Sequence, residues 1–339
     1  MRVAFCFNLK RNLPLIDPQA QIDAEFDAPE TISAIEAALI SGGHSVLRIE
    51  ANEKAYLELY QHRLNIDIVF NIAEGVYGDA REAQIPAICD LLQIPYTHSS
   101  ALSHAISLDK ALTKKVLAYE GIKTAQFQVF NSLREQINPK LHFPLLLKPN
   151  AEGSSKGITD KNLVKDKKTL RTRLEWLLSS FHGSILAEEF LSGREFTVAI
   201  LGNPPQVLPI IEQRLDIIPE KYGAFASYEV KWLWEDTLAN PHDAYRCPAQ
   251  LTNQLQTKIE KMCLHSFNAL NCRDVARIDV RLDKQGEPHI LEINTIPGMI
   301  PDERVISYFP IAARAAGLGY NKMVLTILDL AAKRHQIKP

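Results

Sequence analysis

Two short runs near the C-terminal end constrain this chain most: Arg277-Ile-Asp279-Val-Arg281-Leu282 and Leu291-Glu292-Ile-Asn294. Apolar and polar residues alternate in both, which is the pattern of a half-buried strand. Ile278, Val280 and Leu282 therefore share one face, and Arg277, Asp279 and Arg281 the other. In the second run Leu291 and Ile293 fall inward, with Glu292 and Asn294 on the polar side. Between the runs, Asp283-Lys-Gln-Gly286-Glu-Pro288 is turn-rich and carries the glycine a hairpin favours. A hairpin centred on Gln285-Gly286 sets Asp279 opposite Glu292 and Arg277 opposite Asn294. Two carboxylates facing each other destabilise a bare sheet. A hard cation between them reverses that sign, and two carboxylates with an amide oxygen suit Mg²⁺ when it also holds phosphate oxygens. Thr295-Ile-Pro297-Gly298-Met299 then leaves the strand through a Pro-Gly turn, bringing backbone N–H groups toward the same face. Cation site, arginine and amides converging in one place point to phosphate chemistry.

At 339 residues the chain is long enough for two or three domains. Its net charge of −2 offers no basic excess with which to displace counterions, so no nucleic-acid partner is expected. No apolar run reaches the ~18 residues of a membrane span, so no membrane partner is expected either. The segment Met1–Phe7 is followed at once by Lys10 and Arg11; it reads as a buried first strand, not a leader. Cys6, Cys89, Cys247, Cys263 and Cys272 are scattered without a C-x-x-C pair, which suits a reducing cytoplasm.

Strand and helix patterns alternate over residues 1–103: strands at Val3–Phe7, Ser45–Ile49 and Ile66–Phe70, helices at Thr31–Ser41 and Glu82–Leu92. That order predicts a Rossmann-like α/β unit with an open parallel sheet. The Glu82–Leu92 helix would bury Ile85, Ile88, Leu91 and Leu92. Residues 104–190 read as a small α+β unit, with a helix capped by Asp109, strands at Gln126–Phe130, Phe143–Lys148 and Ser184–Glu188, and a helix near Lys168–Ser180. Residues 191–339 read as an antiparallel-sheet unit, with strands at Glu195–Leu201 and Gln206–Ile211 and helices at Leu251–Leu270, Pro310–Ala316 and Asn321–Lys333. This unit contains a long excursion at 214–248, and a loop of that length is usually either functional or disordered.

Phe143-Pro-Leu-Leu-Leu-Lys148-Pro149 runs into Glu152-Gly153-Ser154-Ser155-Lys156-Gly157, a strand followed by a small-residue loop. The glycines permit close backbone approach, Ser154, Ser155 and the local amides can bind anionic oxygens, and Lys148 aims a charge at the same loop. This is not G-x-x-x-x-G-K-[ST], which excludes a P-loop. Glu188-Glu189-Phe-Leu191 offers apolar residues and exposed backbone to a base, and the carboxylate of Glu195 could hold ribose hydroxyls.

In order and spacing these motifs resemble the ATP-grasp superfamily, and within it the D-alanine–D-alanine ligases. The matching runs extend from Gln84 to Lys114, Lys148 to Gly157, Glu188 to Glu195, Tyr228 to Trp232, Cys247-Pro-Ala and Arg277 to Gly317, nearly the whole chain. The resemblance implies three domains: the Rossmann-like unit, a central ATP-grasp subdomain and a C-terminal ATP-grasp subdomain whose excursion is a lid. It implies ATP as cofactor with two Mg²⁺ ions (or Mn²⁺ in their place) on Asp279, Glu292 and Asn294. Lys110, Lys148 and Lys231 would contact phosphates under the Gly153–Gly157 loop, in which Ser154, Ser155 and Gly157 would bind ATP. Glu188, Glu189 and Leu191 would hold adenine and Glu195 the ribose. Arg277 and the Gly298 amide would form the oxyanion site, and Glu25 (or Glu30) would hold the first substrate's amine beside Ser154.

Four departures bear on substrate. The family's His-Gly is Glu74-Gly75 here, its Gly-Glu-Asp-Gly is Gly78-Asp79-Ala80-Arg81, and the tyrosine closing the lid's Tyr-Glu-x-Lys-Tyr run is Trp232. The serine after Pro-Gly-Met is displaced by a longer run, leaving Glu303, Arg304 and Ser307 as candidates to face the acceptor. The reading is an ATP-dependent carboxylate–amine ligase joining two small amino-acid-like substrates through an acyl phosphate, with an altered acceptor. A true D-alanine–D-alanine ligase and a nucleotide-binding homologue without turnover are the alternatives. The resemblance also implies a homodimer.

Overall fold

The structure, a computed structural model, describes residues 1–11, 23, 25–219, 225, 227, 230, 234 and 237–337. The expected roles of Lys231 and Trp232 lie outside the described residues.

The apolar run at the N-terminus forms β1 (Arg2–Phe7), buried from Val3 onward as the middle strand of a covered parallel sheet must be. α1 (Pro29–Ser41) starts on a proline, whose missing N–H costs nothing there, and stops at Gly42-Gly43. β2 (Ser45–Glu50), α2 (Ala55–His62) and β3 (Ile68–Asn71) follow, and the strands pair in parallel in the order β2-β1-β3. α3 (Gln84–Leu92) buries Ile85, Pro86 and Cys89. Leu91, expected inward, is 71% exposed, because the helical period that turns Ile85, Ile88, Cys89 and Leu92 to the core carries Leu91 off that face. α4 (Ala101–Leu108), like α2, has no counterpart in the sequence reading; Ser100 caps it. α5 (Lys110–Tyr119) is capped by Asp109, whose side chain accepts from Leu112 N at 2.8 Å.

The second sheet is antiparallel, built from β4 (Phe127–Phe130), β5 (Leu145–Pro149), β6 (Leu163–Val164) and β7 (Ile185–Glu189) in the order β4-β7-β5-β6, with α6 (Lys167–Ser180) packed on it. The third sheet carries β8 (Glu195–Leu201), β9 (Gln206–Val207), β10 (Ile211–Gln213), β11 (Tyr245–Arg246), β12 (Val275–Leu282) and β13 (Pro288–Asn294), with α7 (Asn253–Ala269) on one face. The single strand expected over Gln206–Ile211 is two short ones, both paired with β8. Pro209, with no N–H to give the ladder, lies in the break.

The last helices, α8 (Tyr308–Ala315) and α9 (Tyr320–Arg334), belong to the C-terminal segment but pack with the N-terminal layer. Met323, Val324, Ile327 and Leu328 share one core with Val3, Phe5, Ile35 and Phe70. Arg334 tightens that junction, donating to Asp274 Oδ2 at 2.8 Å and to the Tyr96 carbonyl at 3.0 Å. The parallel sheet and the β12–β13 ribbon are thereby fixed on either side of one cleft.

Candidate active site

The cleft is a cavity of about 730 Å³ lined by the two antiparallel sheets and by the loops and helix starts of the parallel-sheet unit. Its floor is the β12–β13 ribbon. Arg277 pairs with Asn294 and Asp279 with Glu292, as the alternation implied. The route to that register is different. The turn is centred one half-residue earlier, with Leu282 opposite Pro288, and a bulge between Asp279 and Val280 leaves Leu291 without a partner and restores the pairing beyond it. Ile290, not Leu291, therefore joins the core, and Leu291 turns onto the cavity wall beside Glu292.

Asp279 and Glu292 converge on one guanidinium. Arg277 reaches Asp279 Oδ2 at 3.0 Å and Glu292 Oε1 at 3.6 Å, so the two carboxylates are close enough to share a cation. Burial pushes Asp279 above the usual carboxylate range, and Arg277 only partly offsets it. Burial would do the same to Glu292, but Lys110, Arg277 and Lys148 outweigh it and hold Glu292 down at about 2. Thr197 on β8, opposite Asp279 in register, donates to Asp279 Oδ1 at 2.9 Å and fixes that side chain. The Asn294 amide nitrogen and Arg277 Nε are buried without a hydrogen-bond partner, leaving donor capacity on the cavity floor. Among the described residues no cluster of three or more Asp, Glu, His or Cys side chains forms a metal cage alone. A hard cation held by Asp279, Glu292 and Asn294 would need ligand oxygens to fill its shell, as Mg²⁺ with phosphates does.

The wall from β5 and β7 is a buried ion triad. Leu146 pairs with Glu188, so Lys148 sits diagonally from it and reaches Glu188 Oε1 at 2.5 Å. Lys114, one helical turn beyond Lys110 on α5, reaches the other oxygen at 2.8 Å. Burial opposes the charge on Glu188, yet the two lysines hold its carboxyl at about 2. Glu188 lines the cavity with its carboxylate already engaged. The side chain orients Lys148 while lining the space where a base is expected, and the apolar group Leu146, Ile158, Phe190 and Phe225 lines the same wall. Glu195 is held by Arg281 at 3.0 Å, and Arg281 also lies over the Phe190 ring at 4.7 Å. Leu191 and Glu189 line the same wall, Glu189 accepting from His142 N at 2.8 Å.

Lys110 enters at the N-terminus of α5. Asn150, at the end of β5, binds that helix end through its carbonyl and side chain, so Lys110 stands at the mouth of the 153–157 loop. Its ammonium donates to the Glu152 carbonyl at 2.5 Å and lies 3.9 Å from Glu292. Ser154 and Ser155 line the cavity with φ of +49° and +58°, a left-handed pair that serines seldom adopt and that functional loops tend to hold. Gly157, at φ +70°, packs on Phe181 instead of lining the cavity. Gly298 lines the far side.

At the N-terminal end the wall turns acidic. Glu25, Asp27, Glu30, Glu74 and Glu82 all line it, with Lys10 and Lys110 the cations that face the same space. Glu25, where an amine-holding side chain is expected, lines the cavity and is held by Arg81 at 2.9 Å and Lys156 at 2.6 Å. Among the described residues no comparable pair forms for Glu74 or Glu82. Burial and the neighbouring carboxylates push Glu74 well above the usual range and Glu82 up to about 8, and burial lifts Asp27 to about 7.

Of the acceptor candidates, Glu74, Arg304 and Ser307 line the cavity, and only Glu303 is corrected among the described residues: it lies off the cavity and faces Arg314 at 3.6 Å. Arg304 stands at the rim, 87% exposed and closed on Asp302. Ser307 is buried; it donates to the Gly298 carbonyl at 3.0 Å and accepts from Ile300 N at 3.2 Å, so it staples the turn while lining the cavity. The sequence reading did not assign Lys114, Thr197, Arg281, Arg81 or Lys156. Helical spacing from Lys110 and strand alternation from Asp279 could have found the first and third. Arg81 and Lys156 meet Glu25 across 56 and 131 residues, and no local pattern carries that.

Such a ribbon and lysine-bearing strand, facing each other across a loop-covered cleft, define the ATP-grasp fold. A family model described as D-ala D-ala ligase C-terminus matches residues 109–329. An uncharacterised Sinorhizobium fredii protein, y4sG, is 33% identical over 310 residues, covering 89% of this chain and 87% of that one. A Bordetella petrii D-alanine–D-alanine ligase is 32% identical over 302 residues, covering 88% and 85%. The crystal structure of the Bacillus anthracis D-alanine–D-alanine ligase complexed with ATP superimposes with a TM-score of 0.74 at 26% identity, covering 99% of each chain. The chain belongs to the D-alanine–D-alanine ligase family, enzymes that form a carbon–nitrogen bond at the expense of ATP.

Proposed function

We propose that this protein uses Mg²⁺ and ATP to join the carboxylate of one amino-acid-like substrate to the amine of another. The observation that carries the reading is the convergence of Asp279 and Glu292 on Arg277, across the cavity from the Lys148–Glu188–Lys114 triad. Lys148 and Lys110 bind phosphate oxygens, and the Ser154–Ser155 segment covers them. Adenine lies against Leu146, Phe190 and Leu191, and Glu195 meets the ribose. Asp279, Glu292 and Asn294 would hold Mg²⁺, which when bound would supply charge neutralisation for the transferring phosphoryl group.

A carboxylate oxygen of the donor attacks the γ-phosphorus and ADP leaves. The acceptor amine then attacks the acyl carbon, and Arg277 with the Gly298 amide stabilises the tetrahedral oxyanion. Phosphate departs carrying the former carboxylate oxygen, and the amine loses a proton. Glu74, Glu82 and Asp27 give the donor end a surplus of carboxyl groups, which favours an ammonium-bearing donor. The engaged Ser307 and the apolar rim of Ile300, Pro301, Val305 and Ile306 favour an acceptor other than D-alanine. Phosphate release, screened over pairs of D- and L-amino acids, tests this. Release that needs two substrates supports the ligase; release only with D-alanine restores the standard pair, and none with any pair favours a binder without turnover.

A further inference from the structure

Ser154 and Ser155 hold a backbone conformation that a free loop would leave, so something outside the loop must fix it. The N-terminal layer grips the loop on either side of these serines. Glu25 Oε2, with its side chain 5% exposed, accepts from Lys156 Nζ at 2.6 Å and from Arg81 at 2.9 Å. Arg81 also donates to the Ala151 carbonyl at 2.7 Å, and Glu152 closes the ring with 3.2 Å to Lys156 and 3.4 Å to Arg81. Gly153 lets the parts meet, since a Cβ there would lie 2.0 Å from Glu25 Oε1. Two anions balance two cations in a nearly dry setting, where charge-assisted bonds are strong and directional. Neither Arg81 nor Lys156 lines the cavity, so neither is placed to touch substrate.

We propose that Lys156 and Arg81 are positioning residues: through Glu25 they latch the 151–156 loop to the N-terminal layer and hold its amides over the phosphate end of the cavity. The proposal rests on the nucleotide reading of that loop. Its consequence is that ATP affinity depends on two side chains that never meet ATP.

The test is equilibrium binding of Mg-ATP together with steady-state kinetics on Lys156→Met, Lys156→Gln and Lys156→Arg. For Met and Gln the latch requires Kd and KM for ATP to rise about 10-fold, with kcat at saturating ATP within about 3-fold of wild type. Arg keeps the charge and returns both constants toward wild type. Gln preserves a hydrogen bond to Glu25 and guards against a Met variant that fails to fold. Unchanged ATP affinity in folded Met and Gln variants overturns the latch, as does a fall in kcat with KM unchanged. Wild-type phosphate release judges the ligase reading separately, and because ATP binding is measured directly, the latch stands or falls without turnover.

Discussion

The two ends of the cavity are built on opposite electrostatic plans. At the ribbon end every strong charge has a counter-charge: Glu188 with two lysines, Glu195 with Arg281, and Arg277 between Asp279 and Glu292. At the other end Glu74 and Glu82 face the cavity with no cation paired to them among the described residues, and their carboxyls are pushed upward. The first arrangement is already organised for a ligand that every reaction of this type shares, a metal-bound triphosphate. The second is left unbalanced until a substrate arrives. Common chemistry is served by balance, and selectivity by imbalance.

The comparison breaks most decisively at Glu292. Replacing it with alanine should lower phosphate release on the order of 1000-fold, because the charge stabilisation of the transferring group is lost. Near-wild-type turnover would show that the ribbon is not the metal-bearing end. Next comes Glu188→Ala, which strands Lys114 and Lys148 as buried, unpaired cations. Denaturant unfolding should register a loss of about 3–5 kcal/mol. If stability holds, the triad contributes little and the balanced description of this end fails.

The acidic end should respond with the opposite sign. The Glu82 carboxyl sits near 8 in the folded protein, above its unfolded value, so the fold favours the protonated form. Its contribution is complete below about pH 4.5 and disappears as pH rises through 8. Glu82→Gln should therefore raise stability at pH 8 by about 1 kcal/mol and do little at pH 4. Binding of an ammonium-bearing substrate at pH 7 should release protons from Glu82 and Asp27, visible by calorimetry as a buffer-dependent enthalpy. An enthalpy independent of buffer would remove the imbalance from substrate selection. The smallest effect belongs to the rim: Arg304→Ala, solvent-exposed and closed on Asp302, should leave both melting temperature and turnover at wild-type values.

Much of the ribbon end was legible because its information is local. Alternation sorted Arg277, Asp279 and Arg281 from Ile278 and Val280, and the facing pair Asp279–Glu292 followed from a turn. Even so, the turn was placed half a residue late, and the bulge at Leu291 went unseen; the two errors cancelled at the site but not at Leu291 itself. The acidic end is less legible. Nothing near Glu25 in sequence announces its partners Arg81 and Lys156. The bonds of Ser307 to Gly298 and Ile300 are equally hidden, because backbone atoms of any residues could supply them. Long-range pairs and backbone staples leave no periodic trace, and the packing of α9 onto the N-terminal sheet escaped notice for the same reason.

The central claim is that a donor carboxylate is phosphorylated before the amide forms. The most direct measurement supplies the donor with ¹⁸O in its carboxylate, together with Mg-ATP and an acceptor amine, and weighs the released phosphate. One ¹⁸O per phosphate, matched by one amide, is the expected result. Unlabelled phosphate would mean that water, not the substrate, takes the phosphoryl group, and would contradict the account.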